Sequence, residues 1–229
     1  TDARDDLLLL TFFDDGTYLH AEIDFDDERE ISGMEWGTFT RNDETGEITT
    51  ATQVFDNNGD TGLTDFSASS DEVIITVSGN EATATSDEDR DGTIDSEFHL
   101  QRIESDGFVG SWLAHDAKDD FLLFTFFEDG TYLHAEVDFD DGDEVSGMEW
   151  GTYTRNEETG EITAASQVFD NNGDTGLTDF SASSDELIIT VVGDELTLTI
   201  DEGRNETIDT TLHFDRDNAF SIDMTQKTA

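Results

Sequence analysis

The side chains best suited to chemistry lie in a stretch that occurs twice, VFDNNGDTGLTD, at 54–65 and at 168–179. A calcium loop of the EF type presents oxygen ligands at positions 1, 3 and 5, a glycine at position 6 and a bidentate acid at position 12. In both copies the glycine comes one position late and position 12 is serine. The stretch therefore predicts either a calcium site or a β-turn capped by its own side chains. The candidate ligands are Asp56, Asn58 and Asp60 in the first copy and Asp170, Asn172 and Asp174 in the second.

A second acidic stretch, DEDRDGTID at 87–95, matches the calcium pattern more closely. Its acids at positions 1, 3, 5 and 9 are Asp87, Asp89, Asp91 and Asp95, and its sixth residue is glycine. The corresponding stretch of the second copy, DEGRNETID at 201–209, has lost two of these acids and the glycine. We therefore predict calcium here in the first copy only. The alternative is an acidic hairpin tip whose carboxylates are solvated.

Other candidate groups have simpler interpretations. The carboxylate runs at 24–30 and 138–144 have the residue types of a glycosidase acid pair. They fall in predicted loops with nothing apolar to raise the pKa of one acid, so we interpret them as solvated charge. His20 and His134 share strand faces with glutamates but lack the spacing of a zinc site, so we interpret them as surface histidines. The sequence contains no nucleophile elbow, phosphate loop or dinucleotide fingerprint, and we predict that the protein is not an enzyme.

Charge is the dominant property of the chain, which has 58 acidic and 10 basic residues and a formal net charge of −48. Nucleic acid requires a basic footprint that is missing, and anionic membrane surfaces repel such a chain. No apolar run is long enough for membrane insertion as a helix, and no cysteine is available for a disulfide or a thiolate metal site. Self-repulsion on this scale requires screening by molar salt or bridging by cations such as calcium. The composition is typical of salt-loving organisms, and an acidic secreted protein from seawater is the alternative.

The sequence contains two tandem copies of one unit. A shift of 114 residues aligns 5–105 with 119–219 without a gap, and only two positions differ between 44–72 and 158–186. A tandem duplication of one domain explains this pattern. We predict a first domain at 1–105, a second at 106–218 and a C-terminal tail at 219–229.

Each unit has the patterns of β-structure. TYLHAEIDF at 17–25 alternates apolar and polar residues, which predicts a half-buried antiparallel strand. FLLFTFF at 121–127 is apolar on both faces, which predicts a central or covered strand. A hairpin is predicted around Gly193-Asp194, and the strand after it places Ile208, Leu212 and Phe214 inward. The fold class is therefore all-β, with two tandem antiparallel meander barrels as the main prediction and a sandwich as the alternative.

A resemblance supports the barrel. GFVGSWLAHD at 107–116 contains Gly110-Ser111-Trp112, which is similar to the Gly-x-Trp signature on the first strand of lipocalin-type barrels. The order of segments that follows resembles the lipocalin-like repeats of secreted bacterial surface proteins. The resemblance implies about eight strands in each unit and carries no catalytic residue over. Lipocalins enclose ligands, but a barrel of this size can be filled by its own side chains, and the many inward Phe and Leu residues favour a filled core.

The first unit lacks a segment equivalent to GFVGSWLA. The tail sequence FSIDM can be aligned with FVGSW, with Phe220 on Phe108 and Met224 on Trp112. This alignment predicts that the tail supplies the missing strand, either within the chain or as a donor strand in the next molecule. A frayed tail is the alternative.

These observations predict a non-enzymatic, acidic β-repeat module of the extracellular space or cell surface. Its role is expected to be structural, adhesive or filament-forming, with calcium or salt neutralising its charge and its C-terminal tail available for self-assembly. A lipocalin-like carrier of a small apolar ligand is the alternative function.

Overall fold

The computed structural model describes residues 7–24, 32–59, 62–66, 71–103, 106–114, 121–139, 145–173, 176–180, 184–217 and 220–223. The chain divides into two units, one made of 1–103 together with 219–229 and the other made of 104–218. The C-terminal tail therefore belongs to the first unit.

The predicted all-β class is confirmed, because each unit is built on one eight-stranded antiparallel sheet. The first unit contains β1 (Leu7–Phe12), β2 (Thr17–Ile23), β3 (Gly33–Arg41), β4 (Ile48–Asp56), the short helix α1 (Leu63–Phe66), β5 (Glu72–Ser78), β6 (Glu81–Asp87) and β7 (Ser96–Arg102). The second unit contains β8 (Gly110–Ala114), β9 (Phe121–Phe126), β10 (Thr131–Val137), β11 (Gly147–Arg155), β12 (Ile162–Asp170), α2 (Leu177–Phe180), β13 (Glu186–Val192), β14 (Glu195–Asp201) and β15 (Thr210–Arg216). The last strand, β16 (Phe220–Asp223), completes the first sheet.

The two sheets have equivalent strand orders. The second sheet runs β12-β11-β10-β9-β8-β15-β14-β13, and the first runs β4-β3-β2-β1-β16-β7-β6-β5. In each sheet the two edges approach one another at a single β-bridge, Glu47 with Ile74 in the first and Glu161 with Ile188 in the second. A backbone hydrogen bond from Ile189 N to Gly160 O (2.9 Å) reinforces the bridge in the second unit. Each sheet is therefore curled.

The tail strand lies in the slot that β8 fills in the second sheet. β16 pairs with β1 on one side and with β7 on the other. The register differs from the sequence alignment by two residues, because Ile222 pairs with Leu10 as Trp112 pairs with Phe124. Ile222, not Met224, therefore holds the strand position of Trp112, and Met224 lies outside the described residues. A shift of two residues preserves which residues share a face, so alternation alone cannot distinguish the two registers.

The strand β2 is buried on both faces, which corrects the prediction of a half-buried strand for TYLHAEIDF at 17–25, and its counterpart β10 is buried in the same way. Tyr132, His134 and Glu136 are buried on one face, and Leu133 and Ala135 are buried on the other. The prediction was wrong because alternation of polar and apolar residues was taken to mean that the polar side faces water. Here the polar side faces the inside of the curled sheet.

Further predictions can be compared with the structure. The hairpin at Gly193-Asp194 is confirmed, with β13 and β14 paired from Glu186 to Asp201. Phe214 is buried as predicted, but Ile208 precedes β15 and is half exposed, so its inward placement was wrong. None of the helices in the described part of the chain is long and apolar enough to span a membrane.

The inside of the second sheet is occupied by one apolar cluster. Its buried members come from strands at both ends of the sheet and from α2, which is what a curled sheet requires. The members are Trp112, Phe124, Phe126, Tyr132, Ile162, Leu177, Leu187, Ile189, Leu196, Leu198, Ile200 and Phe214. Among the described residues of the first unit, the equivalent face carries two smaller clusters, one around Ile48, Val73 and Ile75 and one around Ala82 and Leu100.

Candidate functional site

The acidic hairpin tip of the first unit brings three carboxylates together. One oxygen from each of Asp87, Asp89 and Asp95 lies within 4.8 Å of the other two. Asp91, the fourth predicted ligand, is not a member of this group, and its Oδ1 accepts a hydrogen bond from Thr93 N (2.8 Å). That bond and the one from the Thr93 hydroxyl hold the pKa of Asp91 below its usual value.

The carboxylates at this tip also cap the turn itself. Asp87 is almost fully buried and accepts hydrogen bonds from Asp91 N (3.1 Å) and Gly92 N (2.8 Å). Asp95 accepts from Glu88 N (2.8 Å). These bonds satisfy backbone donors that the tight turn leaves without partners in the sheet.

The second unit caps the equivalent turn with the same pair of aspartates and without the acidic cluster. The backbone differs at one position, because Gly203 has a φ of +81° and Asp89 does not have a positive φ. Asp201 accepts hydrogen bonds from Asn205 N (2.8 Å) and Glu206 N (2.7 Å), and Asp209 accepts from Glu202 N (2.8 Å). The position of Asp89 is held by Gly203 in this copy. The capped turn therefore does not require the third carboxylate, and the first unit's cluster is an addition to a turn that both units share.

The duplicated VFDNNGDTGLTD stretch folds as a capped turn over a buried polar group. Asp170 Oδ1 accepts a hydrogen bond from Asn172 N (3.1 Å), and Asp56 does the same for Asn58 N (3.0 Å). The Asn172 side chain is fully buried, and its amide nitrogen lies 2.8 Å from His134 Nδ1. Asn58 makes the same contact with the first unit's histidine at 2.9 Å. The remaining candidate ligands, Asp60 and Asp174, lie outside the described residues.

The histidines that receive these contacts are interior residues, so their interpretation as surface histidines was wrong. His20 and His134 are both 0% exposed. Burial lowers the pKa of each imidazole to about 3, so both rings are neutral at ordinary pH. An amide nitrogen can only donate, so Nδ1 accepts and the ring proton lies on Nε2. Nε2 of each ring has no hydrogen-bond partner in the described structure.

A glutamate that the sequence did not single out is the centre of the same region. Glu149 on β11 is fully buried and accepts hydrogen bonds from the Tyr132 hydroxyl, from the Thr178 hydroxyl and from Thr178 N (3.2 Å). Burial raises the pKa of Glu149, and the hydrogen bonds from Thr178 and Tyr132 only partly oppose this. The carboxylate thus anchors the start of α2 to the sheet. Glu35, Tyr18 and Thr64 make the same three contacts in the first unit.

The close approach of this glutamate explains a glycine in the repeated stretch. A Cβ at Gly176 would lie 2.3 Å from a Glu149 carboxylate oxygen, and one at Gly62 would lie 2.4 Å from the Glu35 carboxyl carbon. Real Cβ atoms do not come this close, so a side chain at either position would displace the glutamate. The later glycine of the repeated stretch, Gly62 or Gly176, is therefore required by packing of the turn against a carboxylate.

Most of the two carboxylate runs, at 24–30 and 138–144, lies outside the described part of the structure. Residues 25–30 of the first and 140–144 of the second lie outside the described residues. Of their other members, Asp24 N donates a hydrogen bond to Ser32 Oγ (3.0 Å) and Asp138 N donates one to Ser146 Oγ (2.9 Å).

In the described structure, the polar groups of the predicted sites mainly serve the fold. The aspartates cap turns, the asparagines contact buried histidines and the glutamates anchor the short helices. Sequence reasoning missed the glutamates because GMEWGT shows no motif, although its identical recurrence in both copies is a signal that the segment is constrained. No protein-family model and no curated protein matches the chain.

Proposed function

We propose that the chain is a non-enzymatic, acidic structural module of the extracellular space or cell surface, built from two tandem eight-stranded barrels. One observation supports this proposal most directly: the C-terminal strand β16 is inserted between β1 and β7 of the first sheet. In assemblies linked by donor strands, a strand from one molecule fills a gap in the sheet of the next. The gap between β1 and β7 already accepts a strand from a distant part of the chain.

The inserted strand is held by few backbone pairs. Four residues of β16 pair with β1, from Phe220–Phe12 to Asp223–Leu9. Among the described residues, two of β16, Ile222 and Asp223, pair with β7. Main-chain hydrogen bonds are independent of sequence, so the same slot accepts β16 from a second copy of the chain. The module can thus assemble head to tail by strand exchange once its negative charge is screened.

The charge supports an environment rich in salt or calcium. With a net charge of −48, two copies repel each other strongly unless counterions reduce the field between them. Calcium at the acidic hairpin tip of the first unit belongs to this proposal as a further means of neutralisation.

The test compares three forms of the protein at molar sodium chloride: the full chain, a chain that ends at Asn218, and a chain that ends at Met224. Removal of 219–229 is expected to abolish concentration-dependent assembly in light scattering and native mass spectrometry. Truncation after Met224 leaves β16 in place and is expected to preserve assembly. If the chain lacking 219–229 assembles as well as the full chain, strand exchange is wrong.

A further inference from the structure

The tip of the β14–β15 hairpin carries a triplet of residue types that can accept an N-linked glycan. Asn205-Glu206-Thr207 is the only Asn-x-Ser/Thr triplet in the sequence, and its middle residue is not proline. In this modification the side-chain nitrogen of the asparagine is joined to a sugar, and a hydroxyl residue two positions later is needed for recognition. Such a triplet marks a glycan site where it lies in a surface loop of an exported protein, so its position in the fold decides its meaning.

The triplet lies in the exposed loop that joins β14 to β15. Every residue from 202 to 209 is exposed. Asn205 comes four residues after the end of β14 and five before the start of β15, and it takes part in neither strand pairing of this hairpin's sheet. A Cβ built at the nearby Gly203 would meet no atom within 4 Å beyond its chain neighbours. A bulky group on Asn205 therefore has room and does not disturb the sheet.

The Asn205 side chain forms an Asx turn across the triplet. Its Oδ1 accepts a hydrogen bond from Thr207 N (3.0 Å), which fixes the amide plane. Its Nδ2 donates to Glu202 O (3.1 Å). An amide nitrogen carries two hydrogens, so this bond leaves one hydrogen for the transfer reaction. A single turn thus brings together the two residues that a glycan transferase must recognise.

Contacts on both sides of Asn205 hold the loop in this conformation. The Arg204 guanidinium lies 2.9 Å from a Glu161 carboxylate oxygen. Asp201 accepts hydrogen bonds from Asn205 N and Glu206 N. Arg204 and Glu206 have positive φ angles, 51° and 67°, so the chain folds back sharply at Asn205. The acceptor conformation is therefore a property of the folded chain.

The first unit has an equivalent turn but no acceptor amide. The corresponding triplet is Asp91-Gly92-Thr93. Asp91 Oδ1 accepts a hydrogen bond from Thr93 N (2.8 Å), just as Asn205 Oδ1 accepts from Thr207 N. A carboxylate has no nitrogen to which a sugar can be joined. Across this triplet, the two tips therefore share the hydrogen bond of the turn and differ in whether they carry the reactive group.

We propose that Asn205 is an acceptor site for N-linked glycosylation, which gives the second unit a glycan that the equivalent tip of the first unit lacks. The inference rests on the extracellular location proposed above, because this modification is made on exported proteins. A glycan adds hydrated bulk to the hairpin tip without adding to the net charge of −48.

The reaction requires an oligosaccharide activated as a polyprenyl diphosphate. Nδ2 of Asn205 attacks the anomeric carbon of the first sugar, and a C–N bond forms. The bond from that carbon to the diphosphate oxygen breaks, and its electron pair leaves with the polyprenyl diphosphate. The amide gives up one proton, which balances the charge on the leaving group. No oxidant or reductant takes part.

The experiment incubates the folded full-length protein with a polyprenyl-diphosphate-linked oligosaccharide and a single-subunit oligosaccharyltransferase that recognises Asn-x-Ser/Thr. Circular dichroism under the reaction conditions verifies that the chain is folded. We expect the intact mass to rise by one oligosaccharide per chain, with peptide mapping placing it on Asn205. Release by a peptide N-glycosidase converts the modified asparagine to aspartate, which marks the position independently.

Matched variants separate the acceptor chemistry from the fold. N205D gives the second unit the residue type of Asp91, and T207V removes the hydroxyl while keeping the shape of the side chain. Both are expected to lower transfer by about tenfold or more. T207S keeps a hydroxyl and is expected to retain transfer. D91N completes an Asn-x-Thr triplet in the first unit and is expected to gain a second glycan, because Thr93 N already bonds to the side chain at that position.

Three outcomes would overturn the proposal. Transfer to a synthetic peptide of residues 199–211 but not to the folded chain would show that the turn conceals the acceptor. Undiminished transfer to N205D would place the glycan elsewhere. A D91N variant that gains no second glycan would show that the turn shared by both tips does not form an acceptor. None of these readouts depends on assembly through β16, so failure of the two proposals can be told apart.

Discussion

At the scale of single residues, the buried carboxylate of Glu149 contributes most to holding the repeated stretch in place. Its hydrogen bonds join β10, β11 and the start of α2, because Tyr132 and Thr178 both donate to it. We expect Glu149→Gln to lower the free energy of unfolding by about 1–3 kcal/mol, since the amide nitrogen of glutamine cannot accept from these donors. Urea denaturation at constant salt measures the effect. The exposed Glu158→Gln is the control and should change stability by less than about 0.5 kcal/mol.

A second residue-scale prediction concerns pH. The pKa of His20 and of His134 falls from 6.5 in the unfolded chain to about 3 in the folded protein. Because the folded pKa is lowered, the unfolded chain takes up the proton first, and stability present above pH 6.5 is lost as pH falls toward 3. Within this window, each histidine lowers the free energy of unfolding by about 1.4 kcal/mol for every unit by which the pH falls.

The duplication supplies the control for this pH effect. The variants H20F and H134F should each remove one histidine's share of the difference in unfolding free energy between pH 6 and pH 4.5, and the double variant should remove both. Subtracting the pH dependence of a variant from that of the wild type cancels the contribution of the many surface carboxylates. Equal pH dependence in the wild type and the double variant would contradict the prediction.

These buried polar residues could be identified from the sequence only in part. The alternation in TYLHAE correctly places His134 and Glu136 on the same strand face. It does not reveal which face is covered, because coverage depends on how the sheet curls and on the short helix that packs inside it. The glutamate of GMEWGT has no local signal, since its partners Tyr132 and Thr178 lie 17 and 29 residues away in sequence.

At the scale of elements, a comparison of the β6–β7 and β14–β15 hairpins tests whether the aspartates of the acidic tip stabilise the turn. In each turn one of the capping aspartates, Asp87 or Asp201, accepts two backbone hydrogen bonds. We expect D87N and D201N, measured in the presence of a chelator, to destabilise their units by a similar amount of about 1–2 kcal/mol, because asparagine has one acceptor oxygen fewer. D89N is the control and should leave stability in chelator nearly unchanged, since asparagine keeps the Oδ1 that accepts from Asp91 N (3.2 Å). A much larger effect of D87N than of D201N would contradict a shared capping role.

The elements themselves could be predicted more fully than the sites. Strand periodicity and turn residues are local, so the hairpin at Gly193 and the apolar strand at 121–127 follow from short windows of sequence. The register of β16 does not, because Phe220, Ile222 and Met224 alternate equally well in either alignment. Only the pairing of Ile222 with Leu10 and Arg102 across two neighbouring strands distinguishes them.

At the scale of the whole molecule, the net charge of −48 determines the conditions in which the fold is stable. Stability should rise with ionic strength, because molar salt reduces the Debye length to about 3 Å and weakens repulsion between surface carboxylates. A thermal melt after chelation, titrated separately with sodium chloride and calcium chloride at matched ionic strength, separates screening from binding. Screening raises Tm gradually as the salt concentration increases. A specific site instead gives a rise in Tm that begins when the calcium concentration exceeds the Kd of the site and is the same for no other salt.

The two units make this measurement more discriminating. The three-carboxylate cluster of Asp87, Asp89 and Asp95 belongs to the first unit, and the second unit has Gly203 at the position of Asp89. We therefore expect D89N to remove the saturable calcium-dependent rise in Tm while leaving the sodium-dependent rise intact. If sodium and calcium raise Tm equally at matched ionic strength, and D89N changes neither response, then the tip is a capped turn with solvated carboxylates. In that case the acidic residues affect stability through their mutual repulsion, which any salt screens.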